Sequence, residues 1–125
     1  MNAKLVSLAV FGVTAVSMGA FFDGVYGGEP ITIHRNLVHV ATVGAALFGV
    51  ASVLSLFRLS WGPLFGIAAA LLSWPYFGIE IGAVPWSDLG WYVRYRPEHV
   101  AAIGCLTIAS VHSLTRLRAD VRART

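Results

Sequence analysis

The chain has 125 residues, of which 57% are hydrophobic and only 12% charged, and its formal net charge is +3. A soluble domain carries about 25% charged residues, so this composition excludes an ordinary water-soluble globule and a disordered chain. The single cysteine, Cys105, excludes an internal disulfide and a paired-cysteine redox site. The length suits one small integral membrane domain.

Four apolar runs predict membrane-spanning helices at approximately residues 4–22, 37–57, 63–84 and 99–117. Each run approaches the roughly 20 residues that a helix needs to cross a hydrocarbon core about 30 Å thick. The apolar residues are continuous rather than alternating, which favours helices over the strands of a barrel. We therefore predict an all-α fold, an integral membrane four-helix bundle that forms a single transmembrane domain over residues 1–125.

The segment between the last two runs, residues 85–97, is rich in tryptophan, tyrosine and arginine. Ser87 or Asp88 is suited to cap a short helix within it. Because aromatic and basic side chains favour the boundary between lipid and water, we expect this loop to lie in the membrane interface on the outer side.

Lysine and arginine are unevenly divided between the two ends of the predicted bundle. One end would hold Lys4, Arg58, Arg116, Arg118, Arg122 and Arg124, and the other Arg35, Arg94 and Arg96. Cytoplasmic segments are enriched in basic residues. We therefore predict a multi-pass protein of the cell inner (cytoplasmic) membrane with both termini in the cytoplasm. These residues form no basic face with interleaved aromatics, so no nucleic acid partner is expected.

Two pairs of segments have similar sequences. Residues 39–44 (HVATVG) match 99–104 (HVAAIG), and residues 11–15 (FGVTA) match 65–69 (FGIAA). Both halves would enter the membrane from the same side, so the repeat predicts two parallel helical hairpins related by a pseudo-twofold axis along the membrane normal. The alternative is chance similarity between apolar segments of low complexity.

An N-x-x-H element runs from Asn36 to His39 at the start of the second predicted span and is preceded by His34. In this respect the chain resembles uncharacterised, duplicated four-span bacterial membrane protein families, in which an H-N-x-x-H or N-x-x-H element opens even-numbered spans. Only His99 of that element is retained in the second half. The resemblance implies a duplicated four-span fold and brings no established activity with it.

Small residues recur at four-residue spacing in the predicted spans. Such stripes let helix backbones approach closely. They would either pack the spans together within one chain or bind a partner subunit or a second copy, and the sequence leaves both open. The stripes are Ala41, Ala45 and Gly49 in the second span, Gly62, Gly66 and Ala70 in the third, and Ala101, Cys105, Ala109 and Ser113 in the fourth.

Histidines and one acid are the candidate ligand-binding residues. His39 and His99 would lie at the outer ends of two spans, where two neutral imidazoles facing each other form a bis-histidine haem b site. A quinone headgroup is another candidate ligand. Glu80 is the one acid inside a nominal span and needs a partner or a wet cavity, so we expect it near these histidines. His34, His39 and His99 are also candidate ligands of a divalent metal.

Each of these residues also has a purely structural interpretation. The histidines would be hydrogen-bonded or interfacial, and Glu80 would be a paired acid that fixes the orientation of its helix. His112 lies deeper along the fourth span than His99. We expect it to be a buried imidazole bonded to a neighbouring span or to lipid headgroups.

No catalytic residue is predicted. The leading hypothesis is a small structural or accessory membrane protein, surrounded by the lipid bilayer and joined to partner subunits of a larger complex or to further copies of itself. The first alternative is a redox module that binds haem b or quinone through His39 and His99. The second is a small transporter or sensor that uses Glu80.

Overall fold

Five α-helices make up nearly all of the described chain. The structure, a computed structural model, describes residues 2–28, 35–58, 61–83, 87, 89–95 and 97–124. Within these residues the chain is helical except at Asn2 and Arg58 and has no strand, which confirms the predicted all-α class. The helices are α1 (Ala3–Gly28), α2 (Arg35–Phe57), α3 (Trp61–Ala83), α4 (Leu89–Tyr95) and α5 (Pro97–Arg124).

The helices are longer than the apolar runs that predicted them. α1 continues to Gly28 instead of ending at residue 22, and α5 covers Pro97–Arg124 instead of 99–117. The predicted bounds followed apolar content, whereas at the end of α5 the helix continues because the residues have adequate helix propensity; the three glycines within residues 23–28 give no such reason for α1. Arginine and alanine, which dominate the end of α5, are among the best helix formers. The loop at 85–97 contains α4, a short helix.

Three helical segments of the described chain are long and apolar enough to cross a membrane. They are Ala3–Phe22, His39–Phe57 and Pro97–Ala123. The chain therefore has the helices of a membrane protein. α3 has 23 residues and is long enough to span, although it is not among these three segments. A fourth span at α3 remains a prediction.

The four long helices pack side by side in the cyclic order α1, α2, α3, α5. α1 and α3 each pack against both α2 and α5, whereas α1 and α3 meet at only a few positions. The described parts of α2 and α5 do not contact each other. These two pairs are therefore diagonal, and α4 packs against α5 alone among the described helices.

Interior-facing residues repeat with intervals of four and three residues. The mean interval, 3.5 residues, is the period of left-handed helical bundles. The buried residues that follow this spacing are Ser7, Phe11, Thr14, Met18 and Phe21 in α1; Ala41, Ala45, Phe48, Ser52 and Ser55 in α2; Gly62, Gly66, Ala69, Ser73 and Tyr76 in α3; and Ala102, Leu106, Ala109 and Ser113 in α5.

Small and hydroxyl side chains are buried beside the aromatic rings of the core, whereas many valine and leucine side chains face outwards. Ser7 and Ser73 are fully buried, while Val16 and Leu71 are 74% and 71% exposed. A soluble bundle has the opposite distribution, because its apolar residues must leave water. In lipid there is no such requirement, and small residues at the contacts let helices pack closely. The packing therefore agrees with the membrane character of the helices.

Cross-helix contacts define the two ends of the bundle. Ser52 Oγ donates to the Leu8 carbonyl at 2.7 Å, and Ser7 Oγ is hydrogen-bonded to His112 Nε2 at 2.8 Å. We call the end that contains these residues the Ser7 end. Phe21 packs on Phe77 and His99 at the opposite end, which we call the His99 end.

Residues that the sequence repeat aligns do not face the same way. Phe11 is fully buried, whereas its counterpart Phe65 is 37% exposed. Ala41 is likewise buried, whereas Ala101 is exposed. The core-facing positions of α3 and α5 are each displaced by one residue from the sequence alignment. One residue is about 100° around a helix, so aligned side chains point in different directions. The repeat of parallel hairpins remains a prediction.

Candidate functional site

His99 occupies the core side of α5 at the His99 end. It lies three residues before buried Ala102, so it continues the core-facing spacing of the helix. Its ring meets Phe21 edge-on, with 4.8 Å between ring centroids, and its Nδ1 lies 3.7 Å from a carboxylate oxygen of Glu98. Its side chain is 21% exposed. His99 is thus a partly buried imidazole between an aromatic ring and a carboxylate.

An aromatic cluster surrounds this position. Phe21 contacts the rings of Phe22, Tyr76 and Phe77, with centroids between 5.3 and 6.0 Å apart. Pairs at these separations and inclined angles add to the stability given by their buried area. The rings come from α1 and α3, so the cluster joins the two diagonal helices at the His99 end.

His39 has a different environment from His99. It is exposed, because it precedes the core-facing Ala41 by two residues, or about 200° around the helix. The helices that carry the two histidines, α2 and α5, do not contact each other within the described residues. The structure therefore does not bring His39 and His99 into contact, and a haem b or quinone site between them remains a prediction.

Of two other predicted site residues, the structure describes one in part and the other not at all. Glu80 lies within α3, but its side chain is outside the described part of the structure. His34 lies outside the described residues altogether. No group of three histidine, cysteine or acidic residues that could hold a metal ion occurs among the residues that are described. The metal site at His34, His39 and His99 therefore remains a prediction.

The small-residue stripes pack mainly inside the chain. Ala41 and Ala45 are buried, as are Gly62, Gly66 and Ala70. A Cβ atom added at Gly62 would overlap Ser55 Oγ of α2, and one at Gly66 would overlap Ser113 Oγ of α5. These five residues therefore pack helices of this chain against one another. The sequence had left open whether they do so or bind a partner subunit or a second copy. Two stripe residues remain on the outer surface: Gly49, where an added Cβ would meet nothing within 4 Å, and the exposed Ala101.

His112 is bonded to a neighbouring helix, as predicted. Its Nε2 and the fully buried Ser7 Oγ are 2.8 Å apart, and its ring packs edge-on against Phe11 with centroids 5.5 Å apart. The sequence indicated a bonded imidazole but not its partner, since Ser7 lies 105 residues away along the chain. One feature of the sequence could have pointed to this partner. Ser7 and Thr14 are seven residues apart, so both hydroxyls lie on one face of α1.

Further polar contacts fix α5 against α1 and α3. Thr14 Oγ1 donates to the Cys105 carbonyl at 3.1 Å, and Ser17 Oγ lies 3.5 Å from Cys105 Sγ. From α3, Trp74 Nε1 donates to Ser110 Oγ at 2.9 Å. Cys105 thus packs between α5 and α1 at this point. Polar contacts to α1 and α3 thus occur along the middle of α5, between Cys105 and His112.

Comparison with protein-family models, with curated proteins and with solved structures finds no match. The resemblance to duplicated four-span bacterial membrane families therefore remains a prediction. Functional inference has to rest on the geometry of this chain.

Proposed function

We propose that this chain is a four-span integral membrane protein with a structural or accessory role, acting through its outer surface as a subunit of a larger assembly. The observation that carries the proposal is the packing of the interior. Phe11, Phe21, Phe48 and Phe77 are all at most 1% exposed. Large rings thus fill the bundle, and the surface that remains for binding is the exterior.

The rings are distributed over both halves of the bundle. At the Ser7 end, Phe11 of α1 stacks with Phe48 of α2, with centroids 6.2 Å apart. Phe21 and Phe77 pack together at the His99 end. Met18 and Leu106 are fully buried as well. Close packing of this kind favours a rigid body over a channel or a carrier.

The contacts of α3 support four spans. Gly44 of α2 faces Ser73 and Ala69 of α3, and Ser55 of α2 faces Gly62 of α3. The two helices are therefore in contact over most of their length, so α3 extends across the same thickness as α2. A short connection between Phe57 and Trp61 makes them antiparallel. If α2 crosses the bilayer, α3 returns across it.

Charge placement supports the proposed orientation. Lys4, Arg58 and Arg118 are exposed or partly exposed at the Ser7 end. Arg94 lies on α4, which packs against α5, at the opposite end. Under the positive-inside rule, this charge distribution supports an orientation with the Ser7 end and both termini in the cytoplasm, in the inner membrane of the cell. The cyclic helix order also suits two parallel hairpins, because it puts α1 opposite α3 and α2 opposite α5.

α4 is the part of the surface best suited to bind a partner. Trp91, Val93 and Tyr95 are each more than half exposed, at 51%, 54% and 57%. Arg94 lies over the Tyr95 ring, 5.5 Å from its centroid. Aromatic and arginine side chains dominate the energetics of protein interfaces. We therefore place the partner-binding surface at α4.

Affinity purification of the full chain from gently solubilised membranes tests this proposal. We expect a defined assembly, containing either other subunits or several copies of this chain. Trp91→Ala combined with Tyr95→Ala should disrupt the assembly while leaving the helical bundle folded. Phe57→Ala is the matched control, since Phe57 is a 73% exposed aromatic residue at the other end. A stable monomer from the unaltered chain would overturn the proposal.

The redox alternative rests on one observation, the position of His99 at the core side of α5 beside Phe21. A bound haem b would give the purified protein a Soret absorption band. The band should disappear in the variant His99→Ala and persist in His112→Ala, because His112 already bonds Ser7. Colourless protein without extractable quinone would remove this alternative.

A further inference from the structure

Basic side chains from separate helices lie at one level near the Ser7 end. Ser52 of α2 packs between Leu8 and Gly12 of α1, because its Oγ donates to the Leu8 carbonyl and would lie 3.1 Å from a Cβ added at Gly12. Arg58 follows Ser52 by six residues, and Lys4 precedes this part of α1 by about the same distance. The two helices are antiparallel, so Arg58 and Lys4 are level with each other.

Arg118 of α5 lies near the same level. A Cβ added at Gly66 of α3 would overlap Ser113 Oγ of α5, so these two residues face each other. Trp61 lies five residues before Gly66, and Arg118 lies five residues after Ser113. In an antiparallel pair this puts Arg118 beside the start of α3. The three cations, which are exposed or partly exposed, form what we call the basic collar: Lys4, Arg58 and Arg118.

Arg58 is fixed between α2 and α3 by its backbone and its side chain. Its N–H donates to the Leu54 carbonyl at 2.9 Å, and its own carbonyl accepts from the Trp61 N–H at 3.1 Å. Its guanidinium lies over the Trp61 ring, 5.0 Å from the centroid. An arginine held over a ring keeps N–H groups in reach of further acceptors. Tryptophan in turn favours the boundary between lipid and water.

The collar lies where the apolar part of the bundle ends. The membrane-type segment of α1 begins at Ala3, directly before Lys4. α5 continues from Arg118 to Arg124, which is about 9 Å at 1.5 Å per residue. A headgroup layer is about 5–7 Å thick on each side of the hydrocarbon core. In a bilayer that the bundle crosses, the collar is therefore at the depth of the lipid phosphates.

This end of the bundle has an excess of positive charge that the opposite end lacks. Among the described side chains, no carboxylate lies within 4.0 Å of a collar cation. The sequence at the Ser7 end contains six basic residues and one acid, Asp120. The sequence at the His99 end contains three basic residues and four acids outside the apolar runs, namely Arg35, Arg94, Arg96, Asp23, Glu29, Asp88 and Glu98.

We infer that the basic collar binds the phosphate groups of anionic phospholipids in the leaflet at the Ser7 end. Lysine and arginine close to a membrane surface attract anionic headgroups, and guanidinium N–H groups donate to phosphate oxygens. The three cations belong to different sides of the bundle, so they meet separate lipids and do not converge on one soluble anion. The inference rests on the proposed crossing of the bilayer, because only then does this end lie among headgroups.

Lipid retention by the full-length protein tests the inference. The chain is reconstituted into vesicles of equal parts phosphatidylcholine and phosphatidylglycerol and washed at alkaline pH, which removes proteins that are not integrated. It is then extracted in a mild neutral detergent, and the lipids that remain bound are quantified by mass spectrometry. We expect several-fold enrichment of phosphatidylglycerol over phosphatidylcholine. The enrichment should fall at high salt, because exposed charges are screened.

Matched variants locate the binding. Arg58→Gln and Arg118→Gln should each lower the enrichment by up to about fivefold, as expected for the loss of one cation near a membrane surface. Arg94→Gln is the control, because Arg94 is also an exposed arginine over an aromatic ring, 5.5 Å from the centroid of Tyr95, but lies at the opposite end. This variant should leave the enrichment unchanged.

Three results would overturn the inference. One is equal retention of both lipids by the unaltered, integrated protein. Another is an equal loss in Arg94→Gln and in the collar variants, which would mean attraction by general positive charge. The third is release of a protein subunit by the collar variants with unchanged lipid retention, which would mean that the collar binds an acidic protein surface. A chain removed by the alkaline wash would overturn the four-span proposal as well, so the two failures are distinguishable.

Discussion

The two sides of the bundle are held together by different means. Between α2 and α3, Gly44 and Gly62 bring the backbones so close that a Cβ atom at either position would overlap the opposite serine. The hydroxyls at this interface, Ser55 and Ser73, donate to carbonyls of their own helices. Between α1 and α5, by contrast, Ser7 and Thr14 make hydrogen bonds from one helix to the other.

The α2/α3 interface also has an internal symmetry. Gly44, Ala51 and Ser55 follow one another at intervals of seven and four residues, and Gly62, Ala69 and Ser73 do the same. Because the helices are antiparallel, the glycine of each faces the serine of the other. Small residue size, and not hydrogen bonding, is therefore the property that this interface uses.

The two interfaces differ because the helices that form them lie at different distances from each other along the chain. α2 and α3 are joined by a short connection, so they form a hairpin whose register is limited by the chain itself. Ser7 and His112 are 105 residues apart, and the chain imposes no register on their helices. Directional hydrogen bonds supply it, since they form only in one alignment of α1 and α5. Small polar residues thus serve as spacers in one interface and as register-setting contacts in the other.

The largest effect is expected from Gly44→Ala in the α2/α3 interface. The new methyl group would lie 2.9 Å from the backbone oxygen of Ala69 and overlap Ser73 Oγ. Because a backbone oxygen cannot move without shifting α3, we expect a loss of about 2–3 kcal/mol in the free energy of unfolding. Reversible unfolding in mixed detergent, followed by circular dichroism, measures it.

Gly49→Ala is the control on the same helix, since a Cβ atom there meets nothing within 4 Å. This variant should be unchanged or more stable by up to about 1 kcal/mol, because alanine is a better helix former than glycine. Equal stability of the two variants would show that α2 and α3 are not closely packed.

The sequence was sufficient to predict the helices but not their rotations. Continuous apolar runs and low charge predict an all-α membrane-type chain, and the structure has those helices. The rotation of a helix about its own axis is usually inferred from the contrast between an apolar and a polar face. That contrast is absent here, because outward Val16 is more apolar than inward Ser7. The side of each helix that faces the core is indicated instead by the spacing of the small and hydroxyl residues.

The rotation of the helices also decides whether the two histidines of the candidate site, His39 and His99, face the same way. Similar sequences after His39 and His99 suggest equivalent positions. The structure separates them, because the next buried residue is Ala41, two residues after His39, in α2, and Ala102, three residues after His99, in α5. A difference of one residue turns one imidazole outwards and the other inwards. Contacts between distant segments decide such rotations, and a single sequence does not show them.

A smaller effect is expected from the bond between Ser7 and His112. In a double-mutant cycle of Ser7→Ala and His112→Leu, we expect a coupling energy of about 1 kcal/mol, within the range found for polar side chains between membrane helices. Pairing Ser7→Ala with Thr115→Val should instead give additive losses, because Thr115 is exposed and donates to its own helix. Additive losses in both cycles would mean that the bond does not stabilise the interface.

The smallest effect is expected from Thr14→Val, which keeps the shape of the side chain and removes its hydroxyl. Thr14 Oγ1 donates to Val10 of its own helix at 2.8 Å and to the Cys105 carbonyl of α5 at 3.1 Å. Loss of the second contact should cost about 0.5 kcal/mol, since single polar contacts between membrane helices are weak. The same unfolding measurement checks it.

Thr107→Val separates that interhelical contribution from the effect of the substitution itself. Thr107 donates to Ile103 four residues earlier at 2.9 Å and is exposed, so it lacks the second contact. It should show no loss, or a slight gain where valine faces lipid. If Thr14→Val and Thr107→Val behave alike, the register of α1 and α5 depends on the Ser7 end alone. A larger loss at Thr14 would extend the hydrogen-bonded interface to the middle of the bundle.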